Sequence, residues 1–373
     1  RQKQRKPLQN NAKGENMPLR IIHCANFNQI RLKGCYLASL GYKLNNGLTR
    51  LGHQVVTYSD RDMSRAFGFL GNKTFFSDKK NNENFYQFCL NIKPDALILG
   101  HADTITAETL LKIKDKLKNI KILQWNVDSI NPKVTSGGGL HNINNIKAKL
   151  PVVDYTVITT ADRKLLNAFD LTKNKVGFIP NPVDNSIETA RVFANESPEY
   201  DLFFAAHPDA LRDVCGKDYT SKEVAAFLTR EFPEQTLCFP KMNCPALNGA
   251  AYLDALKKSA MVLNLSRVNS DYLYSSDRMA HAMGNGCLAL VDRHTGFADF
   301  FSDDEIAFYS SIDELLEKIK FYIHSPKERM KTAQNGHKRY FELFNETLIA
   351  KYVASLLEET YNPKDYPFPT IIE

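Results

Sequence analysis

Short, continuously apolar runs alternate with longer segments whose leucines recur every three or four residues, and the alternation continues along nearly the whole chain. Unbroken apolar runs suit strands covered on both faces of a parallel sheet, and three- and four-residue spacing suits helices laid on that sheet. In the first half the runs predict strands near Leu19–Cys24, Gln54–Tyr58, Asp95–Leu99, Ile120–Trp125, Tyr155–Thr159 and Val176–Ile179. The first helix is predicted from about Gly34 to Leu51, with Leu37, Leu40, Leu44, Leu48 and Leu51 on one face and Gly52 closing it. The second half repeats the series, with strands near Asp201–Ala206, Thr236–Phe239, Met261–Leu265, Cys287–Val291 and Ala307–Ser310. Helices Ile312–His324, Pro326–Phe344 and Thr347–Thr360 end it. The fold class that follows is α/β, two tandem doubly wound, Rossmann-like domains facing across a cleft, with C-terminal helices.

The run Ile179-Pro180-Asn181-Pro182-Val183-Asp184 marks the junction, because two prolines break regular structure after the last strand of the first half. Residues 19–180 then form the first domain and 181–345 the second. Residues 346–373 form a helix and arm returning to the first domain. Residues 1–18 are read as a basic tail outside the fold: a disordered arm, a processed leader or an expression remnant.

Charge narrows the class. The net charge of +6 suggests nucleic acid, but residues 1–16 alone carry five bases against one acid. The rest of the chain is close to neutral, so no nucleic-acid partner is expected. Seven cysteines without a C-x-x-C pair lie mostly in apolar segments, which suits reduced, buried thiols in the cytoplasm rather than disulfides or a zinc site. No apolar run approaches the roughly 20 residues needed to span a bilayer.

Residues 261–292 carry the chemistry. A buried strand, a polar loop, a helix start and a second buried strand follow one another without a break. Ser275, Ser276 and Asp277 offer helix-capping side chains, and Gly284 and Gly286 end the helix. A helix starting at the carboxyl end of a strand aims N–H groups and partial positive charge above the sheet. Arg278 in its first turn is unfavourable to that dipole unless an anion compensates. Arg212, Asn264, Ser266, Arg267, Ser276, Asp277, Arg278, His281, Gly284 and Gly286 are the candidate binding residues. For Arg278 the competing reading is a surface pair with Asp277 or Asp292. His281 can simply pack, and Asn264 can simply orient the loop.

Three other motifs fail their tests. The loop after the first strand, residues 25–34, holds one glycine and no G-x-G-x-x-G, which argues against a nicotinamide dinucleotide. Asp60 and Asp62 form a D-x-D of the kind that holds a metal diphosphate, but the two-sheet pattern is wrong for that chemistry, and a solvated turn is the reading adopted. The glycine run 137–139 lacks the Lys-Ser/Thr of a P-loop and is read as a mobile loop over the cleft. No metal and no cofactor are expected.

The Pro-Asn-Pro-Val-Asp junction, Asn264-Leu265-Ser266-Arg267, the segment from Ser276-Asp277-Arg278 to Gly286 and the region from Phe300-Phe301 to Glu317 together resemble a GT-B-fold glycosyltransferase of the group-1-like, spore-maturation-type family. The resemblance covers most of residues 180–345, and only architecture in the first half. It implies a nucleotide-sugar donor on the second domain and an acceptor on the first, a glycan or lipid-linked glycan of the cell envelope, with peripheral contact at the inner face of the membrane. Many retaining members carry two glutamates near the donor, and the aligned positions here are Leu273 and His281. Retention and inversion therefore both stay open. An inverting enzyme needs a general base on the acceptor side. Asp128, His101 and Asp103, at the carboxyl ends of predicted strands, are the catalytic candidates, although Asp128 can instead initiate the turn at Asn131-Pro132 and His101 can be a satisfied loop histidine. The missing glutamates also allow an inactive nucleotide-sugar- or glycan-binding protein. An NAD(P)-dependent oxidoreductase is the weakest alternative.

Overall fold

The computed structural model describes residues 17–72, 74–134, 138–171 and 176–371. The basic tail up to residue 16 and Gly137 of the glycine run lie outside them.

The first half builds a six-stranded, wholly parallel sheet in the order β2-β1-β3-β4-β5-β6. Its strands are β1 (Arg20–Ala25), β2 (Gln54–Ser59), β3 (Ala96–Gly100), β4 (Lys121–Asn126), β5 (Tyr155–Ile158) and β6 (Val176–Phe178). Every residue of β3 is buried, as a central strand flanked by helices on both faces requires. The helices are α1 (Leu40–Arg50), α2 (Asp60–Ala66), α3 (Phe75–Ile92), α4 (Ala107–Lys116), α5 (Gly139–Lys149) and α6 (Arg163–Ala168).

The second half forms a five-stranded parallel sheet in the order β10-β7-β11-β12-β13. Its strands are β7 (Tyr200–Phe203), β10 (Leu237–Cys238), β11 (Ser259–Asn264), β12 (Leu288–Asp292) and β13 (Ala307–Tyr309). A separate antiparallel hairpin, β8 (Leu211–Val214) with β9 (Lys217–Thr220), projects after β7. Its turn is Cys215-Gly216, both at positive φ (52° and 85°). Helices α7 (Ser221–Glu231), α8 (Ala250–Leu256), α9 (Asp277–Gly284), α10 (Ile312–His324), α11 (Pro326–Phe344) and α12 (Glu346–Leu357) complete the chain. Among the described residues, no helix is long and apolar enough to cross a membrane.

Three local expectations change. The first helix begins at Leu40, not near Gly34: Asn28, Lys33 and Gly34 take positive φ and wind a loop, and Ser39 in extended backbone starts the helix. Asp60 and Asp62 do not lie in a solvated turn. Both are buried in the first turn of α2, where Asp62 accepts from the Gln29 and Ile30 N–H groups and Asp60 from the Thr104 hydroxyl. Gly138 and Gly139 are not a loop over the cleft but the cap and first residue of α5; a Cβ at Gly139 would fall 2.0 Å from the Asn131 carbonyl oxygen.

Chain crosses between the two sheets at two places, and these run side by side. The Val183 N–H donates to the Phe344 carbonyl (2.9 Å) and the Glu346 N–H to the Val183 carbonyl (2.8 Å). Helix α1 grips both. Lys43 donates to the Pro182 carbonyl (2.9 Å) and pairs with Glu188, both side chains fully buried, while Arg50 bridges Asp184 (2.9 Å) and Glu346 (2.5 Å). Gly47 lets α12 lie directly on α1, since a Cβ there would sit 2.2 Å from the Glu346 carbonyl oxygen. Beyond α12 the chain reaches the edge strand β6, where the Phe178 N–H donates to the Thr370 carbonyl (2.8 Å). Removing one member of a buried ion pair leaves the other charged and desolvated. Lys43→Met should therefore destabilise the protein by about 3–5 kcal/mol in urea unfolding, and Lys43→Met/Glu188→Gln by clearly less, since the neutral amide keeps its bond to the Asp184 N–H.

Candidate functional site

The carboxyl ends of the two sheets face each other across a cleft of about 560 Å³. Ligands of open α/β sheets bind at this edge. On the first-domain wall lie Asn26, Tyr36, Arg61, His101, Trp125 and Asp128; on the second-domain wall lie Ala205, the loop Leu247-Asn248-Gly249, Tyr252, Asp277, Arg278 and His281.

His101 follows β3 in left-handed backbone (φ 57°), as does Ala102 (φ 42°). Such backbone costs on the order of 1–3 kcal/mol per non-glycine residue and persists only where its surroundings enforce it. Here Asn145 (2.7 Å) and the buried Lys149 (3.3 Å) both donate to the His101 carbonyl. The imidazole stands edge-on to Trp125, which itself fits only because residue 100 is glycine: a Cβ there would fall 2.0 Å from the indole. Burial holds His101 below the usual histidine pKa, against the pull of Asp128, whose carboxylate lies 3.7 Å from Nε2. That same Nε2 accepts from the Val127 N–H (3.4 Å), so the ring presents a lone pair and not a proton on this side. The Asp128 side chain is 65% exposed to the cleft. Asp103 is placed differently. It accepts from Arg61 Nε (2.8 Å) and lies behind the wall, so it aims Arg61 at the cleft instead of reaching into it.

On the second domain, Arg278 spans two strand ends, donating to the Ala205 carbonyl after β7 (3.1 Å) and the Leu265 carbonyl after β11 (2.8 Å). Its Nε is buried and unpartnered. Arg212, on the hairpin, is 6% exposed and donates to the Ser221 hydroxyl (3.3 Å). Burial and then the charges of Arg278 and Arg267 push its pKa down to about 9. Three guanidiniums thus converge. Arg267 also lines a neighbouring cavity of about 320 Å³, with Lys133, Asp213 and His294. Beneath them, both side-chain polar atoms of Asn264 and the hydroxyls of Ser266 and Ser276 are buried without partners. Ser276 is the N-cap of α9 by backbone only, so its hydroxyl remains available. Asp277, in the first turn, is exposed to the cleft.

Other candidates serve the frame. His281 bonds the Ala38 carbonyl of the first domain (3.0 Å) and burial lowers its pKa. Gly284 and Gly286 line no part of the cleft: a Cβ at Gly284 would meet Glu188 at 2.6 Å, and one at Gly286, which turns the chain at φ 80°, would meet Phe193 at 2.6 Å. They are needed for close packing of α9 on the inter-sheet segment.

Several residues escaped sequence reading. Arg61 sits inside the rejected D-x-D, Tyr36 lies in what was read as helix, and Tyr274 stands in the loop before α9, its N–H donating to the Asp271 carbonyl. A signal existed for Asn26 and Asn126. Like Asn264, each ends or follows a buried strand, and each has a buried polar atom without a partner.

Residues 203–350 match the sequence model of a family described as glycosyl transferase-like. The match runs from the end of β7 into α12 and takes in most of the second domain. No curated protein matches the chain by sequence. Among solved structures, sucrose-phosphate synthase from Thermosynechococcus elongatus superposes with a TM-score of 0.61 at 14% identity, over 91% of this chain and 98% of that one. Anabaena Alr3699/HepE, solved in complex with UDP, gives 0.54 at 11% identity over 91% of this chain and 100% of that one. A UDP-forming trehalose-phosphate synthase from Burkholderia xenovorans gives 0.56 at 10% identity over 92% and 99%. At such identities the likeness shows the fold, the GT-B arrangement of two Rossmann-like domains expected from the sequence. The enzyme class read from the sequence agrees with the family match.

The loop between β11 and α9 is docked on the first domain and on the junction segment. Tyr272 receives the Ala161 N–H at its carbonyl (2.9 Å), Asn131 donates to Asp271 (2.7 Å) and Asn181 to the Ser275 carbonyl (3.0 Å). Burial raises the Asp271 pKa to about 6, the Asn131 bond opposing it and the Asp162 charge reinforcing it. An acid whose pKa rises on folding binds protons more tightly in the folded state, so its contribution weakens as pH climbs from about 4 to 6 and is flat above. Asp271→Asn keeps an acceptor for Asn131 and should raise Tm at pH 7.5, the gain disappearing near pH 4 in thermal melts across that range.

Proposed function

We propose that the protein transfers a sugar from a nucleotide-sugar donor, held by the second domain, to a hydroxyl of a glycan or lipid-linked glycan of the cell envelope, presented by the first domain at the cytoplasmic face of the membrane. The observation that carries the donor half is the gathering of Arg212, Arg267 and Arg278 around Leu265-Ser266 at the end of β11, where the Asp213 N–H donates to the Ser266 carbonyl (3.1 Å) and Arg278 to the Leu265 carbonyl (2.8 Å). A buried Arg212 beside two half-buried like charges raises the energy of the folded protein unless an anion joins them. A diphosphate supplies that anion, and helix α9 adds its N-terminal N–H groups and partial charge. Asn264, Ser266 and Ser276 bring donors and acceptors with no other partner.

The same cations would stabilise charge developing on the departing nucleoside diphosphate, the role a metal plays elsewhere. Metal-independent transfer is therefore part of the proposal. On the acceptor side the exposed Asp128 carboxylate is the base that takes the proton of the acceptor hydroxyl, beside a neutral His101 whose Nε2 lone pair is held by the Val127 N–H. The first-domain loop 26–39 and the docked loop after β11 shield the donor from water.

A second reading rests on the Leu273 and His281 positions. Leu273 is 2% exposed and His281 is committed to the Ala38 carbonyl, so neither supplies the carboxylate of retaining relatives, and the protein could hold a donor without transferring it. A thermal-shift panel of UDP-, GDP-, ADP- and CMP-sugars followed by turnover on an acceptor array separates the two: a stabilising donor that is consumed supports transfer, and one that is never consumed supports binding alone. Arg212 is the cleaner probe of the anion site, because Arg278 also ties strand ends together. Arg212→Met removes a strained charge and should leave Tm unchanged or higher while lowering turnover roughly 10²–10³-fold, the cost of losing one charge-stabilising donor. Turnover like that of wild type would rule out its phosphate role.

A further inference from the structure

The fold brings two of the seven cysteines into contact. Cys238 Sγ and Cys244 Sγ lie 3.7 Å apart, across the turn Phe239-Pro240-Lys241-Met242-Asn243 that follows β10. Both are free thiols.

The turn that joins them is tightly made. The Met242 and Asn243 N–H groups both donate to the Phe239 carbonyl (2.9 and 3.0 Å), and the Lys241 N–H donates to the Cys244 carbonyl (2.8 Å), with Lys241 in left-handed backbone (φ 68°). Asn243 ties the turn back to its own strand: its side chain accepts from the Phe239 N–H (2.7 Å) and donates to the Leu237 carbonyl (2.9 Å). The two sulfurs are thus held together by bonds in which neither takes part. Closing an S–S bond of about 2.0 Å asks for less than about 2 Å of approach.

The pair is asymmetric. Cys238 is 3% exposed, and burial, then the contact with Cys244, pushes its pKa up to about 12. Such a thiol does not react with dissolved oxidants on its own. Cys244 is half-buried beside the exposed Asn243, Pro245 and Ala246, so solution reaches it. This is the arrangement of an attacking cysteine with a resolving cysteine behind it. Both sulfurs pack in one apolar cluster with Leu247, Tyr252 and Leu253, and those three residues line the second-domain wall of the cleft. Three residues after Cys244 the chain becomes that wall, and Gly249 lies against the first-domain loop, where a Cβ would stand 3.5 Å from Cys35 Cα.

We propose that Cys238 and Cys244 are a reversible disulfide site, closed by exchange with a small-molecule disulfide, and that closing it stiffens this wall of the cleft. The Cys244 thiolate attacks one sulfur of the oxidant, breaking its S–S bond and releasing one thiol, which takes up a proton. Cys238 then gives up its proton and attacks Cys244 Sγ, forming the internal disulfide and expelling the second thiol. Two protein thiols lose two electrons and two protons, and one small-molecule disulfide becomes two thiols. A reducing medium returns the pair to the dithiol, so the reduced thiols expected from the sequence are its resting state. The closed bond ties the end of β10 to the segment that enters the cleft and removes freedom from it. The pair lies outside the arginine site, so the inference does not depend on the donor reading.

The test is incubation of the full chain with glutathione disulfide, alkylation of the remaining thiols in urea, and peptide mapping by mass. Wild type should yield a Cys238/Cys244 cross-link, two hydrogens lighter than the dithiol and opened again by dithiothreitol. Cys238→Ala should stop at a stable mixed disulfide of Cys244 with glutathione, and Cys244→Ala should leave Cys238 unmodified. Amide hydrogen exchange of residues 239–249 should slow at least about threefold in the closed wild type relative to the reduced chain. A wild-type chain that keeps glutathione on Cys244, keeps both thiols, or links either cysteine to a different one overturns the site. Equal exchange in the two forms overturns the stiffening. These readings are made on the wild-type chain, so they stand even where a variant fails to fold. A failure of the donor reading would show in the nucleotide-sugar thermal shift of the reduced chain and would leave the disulfide result standing.

Discussion

Lys43 and Glu188 are buried together although they belong to different halves of the chain, and every contact across the cleft depends on where they hold the two sheets. Two charges taken out of water are stabilising only if each is fully occupied. Lys43 is held by the Glu188 ion pair and the Pro182 carbonyl, and Glu188 also accepts from the Asp184 N–H at its second oxygen. An apolar pair of similar size would bind the halves without choosing an angle. The ion pair, with Arg50 reaching Asp184 and Glu346, fixes a direction, and it acts where the chain passes between sheets in both senses. A segment bounded by prolines would otherwise be a free hinge; here it is gripped by a helix of the first domain and by the returning α12.

From that fixed frame the site follows. With the sheets set edge to edge, α9 of the second domain approaches the loop after β1, and His281 reaches the Ala38 carbonyl. The loop between β11 and α9 settles on Asn131, Thr160 and Asn181, which leaves Leu273 in left-handed backbone (φ 58°). Positive φ in a buried leucine is costly, and the docking contacts enforce it. Gly284 and Gly286 belong to the same set of constraints. They were expected near the ligand because they end the helix that carries Arg278, yet their smallness is spent on the hinge side of α9, where Glu188, Val183 and Phe193 crowd in.

The two doubly wound sheets were legible because buried parallel strands write themselves as unbroken apolar runs, and those are hard to mistake when they recur at the spacing of βα units. All eleven strands expected from such runs are present, with ends shifted by one to three residues. The hairpin β8–β9 was invisible for the converse reason: Leu211-Arg212-Asp213-Val214 and Lys217-Asp218-Tyr219-Thr220 are short and polar, and Cys215-Gly216 lacks the usual asparagine or aspartate at its first turn position. Leu37 extended the helical leucine spacing by chance, which hid the loop that lines the cleft. At the site, Arg212, Arg267 and Arg278 were found one by one from their places after strands. Their convergence was not readable, since it depends on a hairpin no pattern announced. Asp103 was misplaced because position after a strand says which end of the sheet a residue occupies, not which way it faces; its partner Arg61 decides that.

The three arginines also show how function and stability oppose each other in one place. Arg212 is buried beside like charges, donates to the Ser221 hydroxyl, and has its pKa pushed down by burial and those charges. Selection for stability alone would replace it with an apolar residue. An anion with two or more negative charges would reverse the balance, because it is attracted to all three cations in a setting of low dielectric. The free energy by which the protein is strained without ligand is returned on binding, and it is returned most fully to whichever species concentrates the greatest negative charge between Arg212, Arg267 and Arg278. A departing nucleoside diphosphate carries more charge than the nucleotide sugar it leaves. On the proposed donor reading, the same crowding that weakens the unliganded domain would favour the bond-breaking state over the bound donor, which is the condition for catalysis rather than mere binding.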